Sequence, residues 1–138
     1  MLKSEKELKI LDLFSGTGEW VRKWRDSSYN VKIDSVDIEK YEHVNYCIDV
    51  EQFNPDTEYH IVYASPPCRN FTKLMNINVK GCTQEEFDKS VRLAKLAFEF
   101  GKRAKWCYVI ENPYTGKMKD LKDEQGNLLF PNPQIVDY

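Results

Sequence analysis

Residues Leu8 to Phe14, LKILDLF, form a nearly continuous apolar run that ends abruptly in Ser15-Gly16-Thr17-Gly18. A strand buried on both faces reads this way, whereas a strand with one wet face alternates apolar and polar positions. The run therefore predicts a parallel strand feeding a glycine turn, and parallel strands need crossover segments between them. The chain supplies the rest of such a sheet: Lys32 to Ile38, Val44 to Val50, His60 to Ser65 and Trp106 to Ile110 read as further strands. Glu19 to Asp26 reads as a short helix with Trp20, Val21 and Trp24 on one side. Thr83 to Glu86 is a Thr-x-x-Glu capping box opening the longest helix, whose apolar stripe is Phe87, Val91, Ala94 and Phe98, widened by Leu93, Leu96, Ala97 and Phe100. The expectation is an α/β fold with a mostly parallel, open, Rossmann-like sheet.

At 138 residues the chain has room for one domain with one core, here residues 1–113, followed by a Gly- and Pro-marked irregular tail over 114–138. The opening segment MLKSEKELK is charged, with no apolar stretch of signal-peptide or membrane-span length behind it, so a cytoplasmic location is expected. Cys47, Cys68, Cys82 and Cys107 are far apart, and His43 and His60 form no ligand pattern with them, which argues against a zinc site or a disulfide framework. Cys47 and Cys107 lie in apolar runs and are expected to be small buried side chains. A net charge of -2 exerts no global pull on nucleic acid, so any such contact must be local.

In open α/β sheets the ligand lies beyond the carboxyl ends of the strands. Those ends are Phe14-Ser15-Gly16-Thr17-Gly18, Asp37-Ile38, Asp49-Val50, Pro66-Pro67-Cys68 and Glu111-Asn112. Asp and Gly also make good turns, so no single end is informative. Together they put small, acidic and reactive residues on one rim. Gly16-x-Gly18 lets a backbone approach a ligand, but Val21 stands where a dinucleotide fingerprint needs a third glycine. Asp37 is placed to accept the hydroxyls of a ribose. A nucleoside cofactor without a pyrophosphate fits, S-adenosylmethionine better than NAD, with Asp49 as an acceptor for the adenine amine.

In order, DLFSGTG, VDIEKYE, CIDV, SPPCRNFT and IENP resemble the first half of the DNA cytosine-5 methyltransferase family, over residues 8–113. The discriminating pair is Pro-Cys after the fourth strand and Glu-Asn after the fifth. Enzymes that methylate exocyclic amines typically end a comparable Pro-Pro with an aromatic residue, and here that residue is Cys68. The resemblance implies that Cys68 adds as thiolate to carbon 6 of cytosine, which makes carbon 5 nucleophilic toward the sulfonium methyl. Glu111 would bind ring nitrogen 3 in protonated form. The implied S-adenosylmethionine pocket comprises Phe14, Ser15, Gly16, Thr17, Gly18, Asp37, Ile38, Asp49 and Val50, with Asp12 facing either the methionine moiety or the sheet. Ser65-Pro66-Pro67 would hold the thiol in place, because each proline fixes its own φ and restricts its predecessor.

The segment after the nucleophile, with Arg69, Asn70, Lys73 and Lys80 and no acidic residue up to Cys82, resembles the loop that closes over DNA around an extruded base. It reads equally as a solvated loop, and the basic residues from Lys89 to Lys105 read as a solvated helix face. Relative to full-length family members the fold is expected to be incomplete. No arginine-bearing strand, target-recognition domain or closing segment is recognisable after Glu111, and ENP replaces the family's Glu-Asn-Val. A homo-oligomer or a second chain completing the site is expected. Three functions remain compatible with the sequence: a short cytosine-5 methyltransferase acting on DNA, a methyltransferase-fold binding module that needs a partner chain, and a methyltransferase acting on an exocyclic amine or a small molecule.

Overall fold

The computed structural model describes residues 6–67, 83–111 and 122–128. Strands β1 (Leu8–Leu13), β2 (Val31–Asp37), β3 (Tyr46–Cys47), β4 (Ile61–Ala64) and β5 (Cys107–Ile110) form one sheet in the order β3-β2-β1-β4-β5. Every pairing is parallel. The chain steps outward from β1 through β2 to β3, then crosses back to lay β4 on the other side of β1. That reversal is the switch point of a Rossmann-like sheet, and it opens a crevice between the carboxyl ends of β1 and β4.

The period-two rule of strands sorts the core into two layers. Leu11 and Leu13 of β1, Val36 of β2 and Val62 and Ala64 of β4 point to one face, where they pack with Leu93, Ala97 and Phe100 of helix α2 (Gln84–Lys102). Ile10 and Ile61 point to the other face and meet Val21, beside the short helix α1 (Arg22–Arg25), with Trp24, Ile33 and Tyr63 packed around them. Both arms of the expected capping box are present at the start of α2: the Thr83 hydroxyl accepts from the Glu86 amide, and the Glu86 carboxylate accepts from the Thr83 amide. Asp34 is buried on the α2 face, where the Tyr59 hydroxyl donates to it at 2.6 Å. Burial and that carboxylate together push the Tyr59 phenol well above its ordinary value.

Three expectations need correction. The third strand does not run from Val44 to Val50 but is two residues long. The side chain of Asn45 takes the place of strand backbone, its Oδ1 accepting from Ser35 N at 2.6 Å and its Nδ2 donating to the Ile33 carbonyl. After β3, Asp49 caps a 3₁₀ turn over Val50–Gln52 through its side chain, and such local bonding competes with a strand ladder. Secondly, helix α1 is shorter than Glu19 to Asp26, because Val21 at its start offers no side-chain cap. Thirdly, Cys47 and Cys107 are exposed rather than buried, since β3 is a fragment at one edge and β5 leaves Tyr108 and Val109 exposed as well. The expected division near residue 113 falls outside the described residues. Within 122–128 the chain makes a tight turn at Gly126, closed by an antiparallel bridge between Lys122 and Leu128.

Helix α2 packs tightly on β5 at Gly101, where an added Cβ would stand 2.8 Å from Tyr108 Cγ and 3.2 Å from its Cβ. Gly101→Ala is therefore expected to lower stability by about 1–2 kcal/mol, the overpacking outweighing the better helix propensity of alanine. Urea unfolding checks this. In a Tyr108→Ala background the same change should become stabilising.

Candidate cofactor and catalytic site

The glycine turn after β1 is held open by conformation and by cross-links to β2. Phe14 has φ 58°, Gly16 φ 54° and Gly18 φ 77°. Left-handed backbone suits glycine, but for phenylalanine it is strained and costs about 1–3 kcal/mol, a cost found mostly where function fixes the backbone. Ser15 N donates to the Val36 carbonyl at 3.0 Å and Gly16 N to Asp37 Oδ2 at 2.8 Å, so the end of β2 sets the shape of the turn. No atom of the described residues lies within 4 Å of a Cβ built on Gly16, which leaves room over the backbone at this end of β1.

A buried polar chain supports the turn from below. The Ser15 hydroxyl lies 2.6 Å from Asp12 Oδ2 and 2.8 Å from His43 Nε2. With Asp12 ionised, Ser15 donates to it and accepts from the imidazole N–H. Burial is the main force on Asp12 and raises its pKa to about 6, partly offset by the Ser15 hydrogen bond. Burial and the nearby Arg25 guanidinium lower the pKa of His43. The His43 ring also lies against Gly18, where a Cβ would come within 2.7 Å of Nε2. Asp12, expected to face either the methionine moiety or the sheet, is buried and bonded to Ser15, whereas the role of His43 was not legible in sequence because 28 residues without a periodic signal separate it from Ser15.

Asp12 makes stability depend on pH. Its folded-state pKa of about 6 lies above the ordinary 3.8, so as pH rises the unfolded chain ionises first. Folding loses stability through that window, and above it the full penalty of about 3 kcal/mol applies. Asp12→Asn keeps an acceptor for Ser15 and is expected to gain about 2–3 kcal/mol at pH 8 but under about 1 kcal/mol near pH 4. Urea melts at the two pH values measure the difference.

The remaining strand ends are occupied as follows. Asp37 Oδ1 accepts from Glu39 N at 2.8 Å, and each of its oxygens retains a lone pair for a ligand. Next to it Ile38 is 69% exposed, an apolar surface on the rim beside a carboxylate. Phe14 is half-buried, Thr17 is exposed and Val50 packs in the core. Asp49 accepts from Glu51 N through Oδ1 and pairs with Lys89 Nζ at 2.7 Å through Oδ2, which lowers its pKa. Arg92 pairs with Glu51 at 3.1 Å. Two of the basic residues expected on a solvated helix face thus tie α2 to the 3₁₀ turn.

At β4 and β5 the structure joins two of the sequence candidates' own segments. Ser65 Oγ donates to Glu111 Oε2 at 2.9 Å, and Glu111 N donates to the Ala64 carbonyl at 2.9 Å. Pro66 is buried and Pro67 exposed, so the chain leaves the sheet at the crevice mouth. Cys68, Arg69, Asn70, Lys73, Lys80 and Asn112 lie outside the described residues.

A carboxylate at the end of β2, an apolar rim beside it and open volume over the β1 glycine turn suit a nucleoside cofactor. The class defined by fold and site is thus a Rossmann-like α/β protein whose switch point carries a glycine turn cross-linked to an acidic strand end. No family model matches the chain. It is similar to a "Probable DNA (cytosine-5)-methyltransferase" of Frog virus 3 (isolate Goorha), 31% identical over 146 aligned residues that take in 95% of this chain. The chain spans 63% of the length of that relative.

Proposed function

We propose that this chain forms the S-adenosylmethionine-binding and catalytic portion of a DNA cytosine-5 methyltransferase. The observation that carries the reading is the Ser65 to Glu111 hydrogen bond. It ties the strand end that runs into Pro66-Pro67-Cys68 to the carboxyl group assigned to the base, across the β4 and β5 tips. The similarity to a viral protein named as a probable DNA (cytosine-5)-methyltransferase supports it.

When bound, S-adenosylmethionine supplies a methyl group on a positively charged sulfur. Asp37 accepts its ribose hydroxyls, Ile38 and Phe14 lie against its adenine, and the Gly16 backbone admits it closely. Cys68 adds as thiolate to carbon 6 of cytosine, and Glu111 protonates or hydrogen-bonds ring nitrogen 3, so negative charge does not accumulate on the ring. Carbon 5 would then take the methyl group, leaving the cofactor as a neutral thioether, and loss of the carbon 5 proton to a base would expel the Cys68 thiolate from carbon 6. Arg69, Asn70, Lys73 and Lys80 contact phosphates of the substrate. The exposed β5 favours cover by a second copy of the chain or by another chain.

The test is incubation with duplex DNA containing 5-fluorocytosine and S-adenosylmethionine. Fluorine at carbon 5 blocks the elimination, so the proposed enzyme should remain covalently on DNA in a denaturing gel. Cofactor binding without any adduct would favour a binding module instead.

A further inference from the structure

Lys23, Arg25 and Asp26 make no side-chain ion pair among the described residues, and of these Arg25 is the one set against the glycine turn. Arg22, on the same helix, pairs with Glu19 at 3.3 Å. The Arg25 side chain has no ion pair or hydrogen bond among the described residues. Helical side chains lean toward the helix amino terminus, and this one runs back to the glycine turn. Its Nη2 would lie 2.9 Å from a Cβ built on Gly18. Glycine at 18 thus leaves room for a guanidinium as well as for the His43 ring. Asp12 and His43 both feel the Arg25 charge, which places this exposed side chain on the solvent side of the turn.

We propose that Arg25 binds the carboxylate of the cofactor's amino-acid moiety. The inference rests on the S-adenosylmethionine reading and deepens it. Asp37 marks the ribose end of the site through its bond to Gly16. Gly18 lies two residues further along the turn, so a cofactor with its ribose at Asp37 sends its other end toward Gly18 and Arg25. The charged group at that end is a zwitterion whose carboxylate matches a guanidinium, which offers paired donors. The acidic groups of the turn do not compete: Asp12 is buried and bonded to Ser15, Asp37 accepts from two backbone amides, and Glu19 pairs with Arg22.

The experiment compares calorimetric binding of S-adenosylmethionine with that of decarboxylated S-adenosylmethionine, which lacks only this carboxylate, to the wild type, Arg25→Gln and Arg25→Lys. The wild type should prefer the intact cofactor by about tenfold, Arg25→Gln should lose that preference by weakening intact-cofactor binding alone, and Arg25→Lys should keep part of it. Equal weakening of both ligands, or no change in either, overturns the inference while leaving the cofactor reading in place. So does a loss confined to salt-dependent binding of duplex DNA, which would make Arg25 a phosphate contact. Failure of the wild type to bind either ligand overturns the cofactor reading, and this inference with it.

Discussion

Exchange of Cys68 for alanine is expected to abolish the covalent adduct with 5-fluorocytosine DNA and to reduce methyl transfer to the background of the assay. Carbon 5 of cytosine is a weak nucleophile until carbon 6 carries an added group, and no other thiol is expected at that position. Cofactor affinity should stay within about twofold, because the proposed cofactor contacts come from the ends of β1 and β2. Cys68→Ser should fail almost as completely, since a hydroxyl ionises far less readily than a thiol. Alkylation chemistry is a poor substitute for this test. Cys47 and Cys107 are both exposed and will react with a general thiol reagent. A Cys47→Ala, Cys107→Ala variant should therefore retain the adduct in full. Methyl transfer that survives Cys68→Ala would point to an exocyclic amine or small-molecule substrate instead.

What sequence made legible was local or periodic. The apolar run of β1, the strand within His60 to Ser65 and the reciprocal cap at Thr83 all carry their cause within a few residues, and each is found where expected. The strand order follows from the same elements, because a parallel sheet with these connections has few ways to fold. Contacts between distant turns left no such trace. Ser15 meets His43 across 28 residues and Ser65 meets Glu111 across 46, and neither spacing has a period to detect. The third strand misled for a related reason: VNYCIDV has strand composition, but Asn45 satisfies the β2 edge with its amide and Asp49 turns the chain away. Exposure of Cys107 could not be read either, since an apolar run does not say whether its strand lies inside the sheet or at its edge.

Glu111→Gln is the second change with a large expected effect, a loss of about 10²-fold in kcat for methyl transfer to cytosine. Glutamine can still accept the Ser65 hydrogen bond and can still donate toward ring nitrogen 3, so what it removes is the transferable proton. Glu111→Ala removes both and should cost about 10²–10⁴-fold. The Ser65 hydroxyl occupies Oε2 and leaves Oε1 without a partner among the described residues. A proton on that oxygen can reach a base in the crevice, while Ser65 fixes the rotation of the carboxyl group. Ser65→Ala should therefore cost about tenfold by itself and almost nothing more once Glu111 is alanine, the signature of two residues acting as one unit. Single-turnover rates of the four proteins, with S-adenosylmethionine saturating, close this cycle. Equal losses in both backgrounds would mean that the Ser65 hydroxyl acts independently of Glu111, through the Pro66-Pro67 segment it introduces.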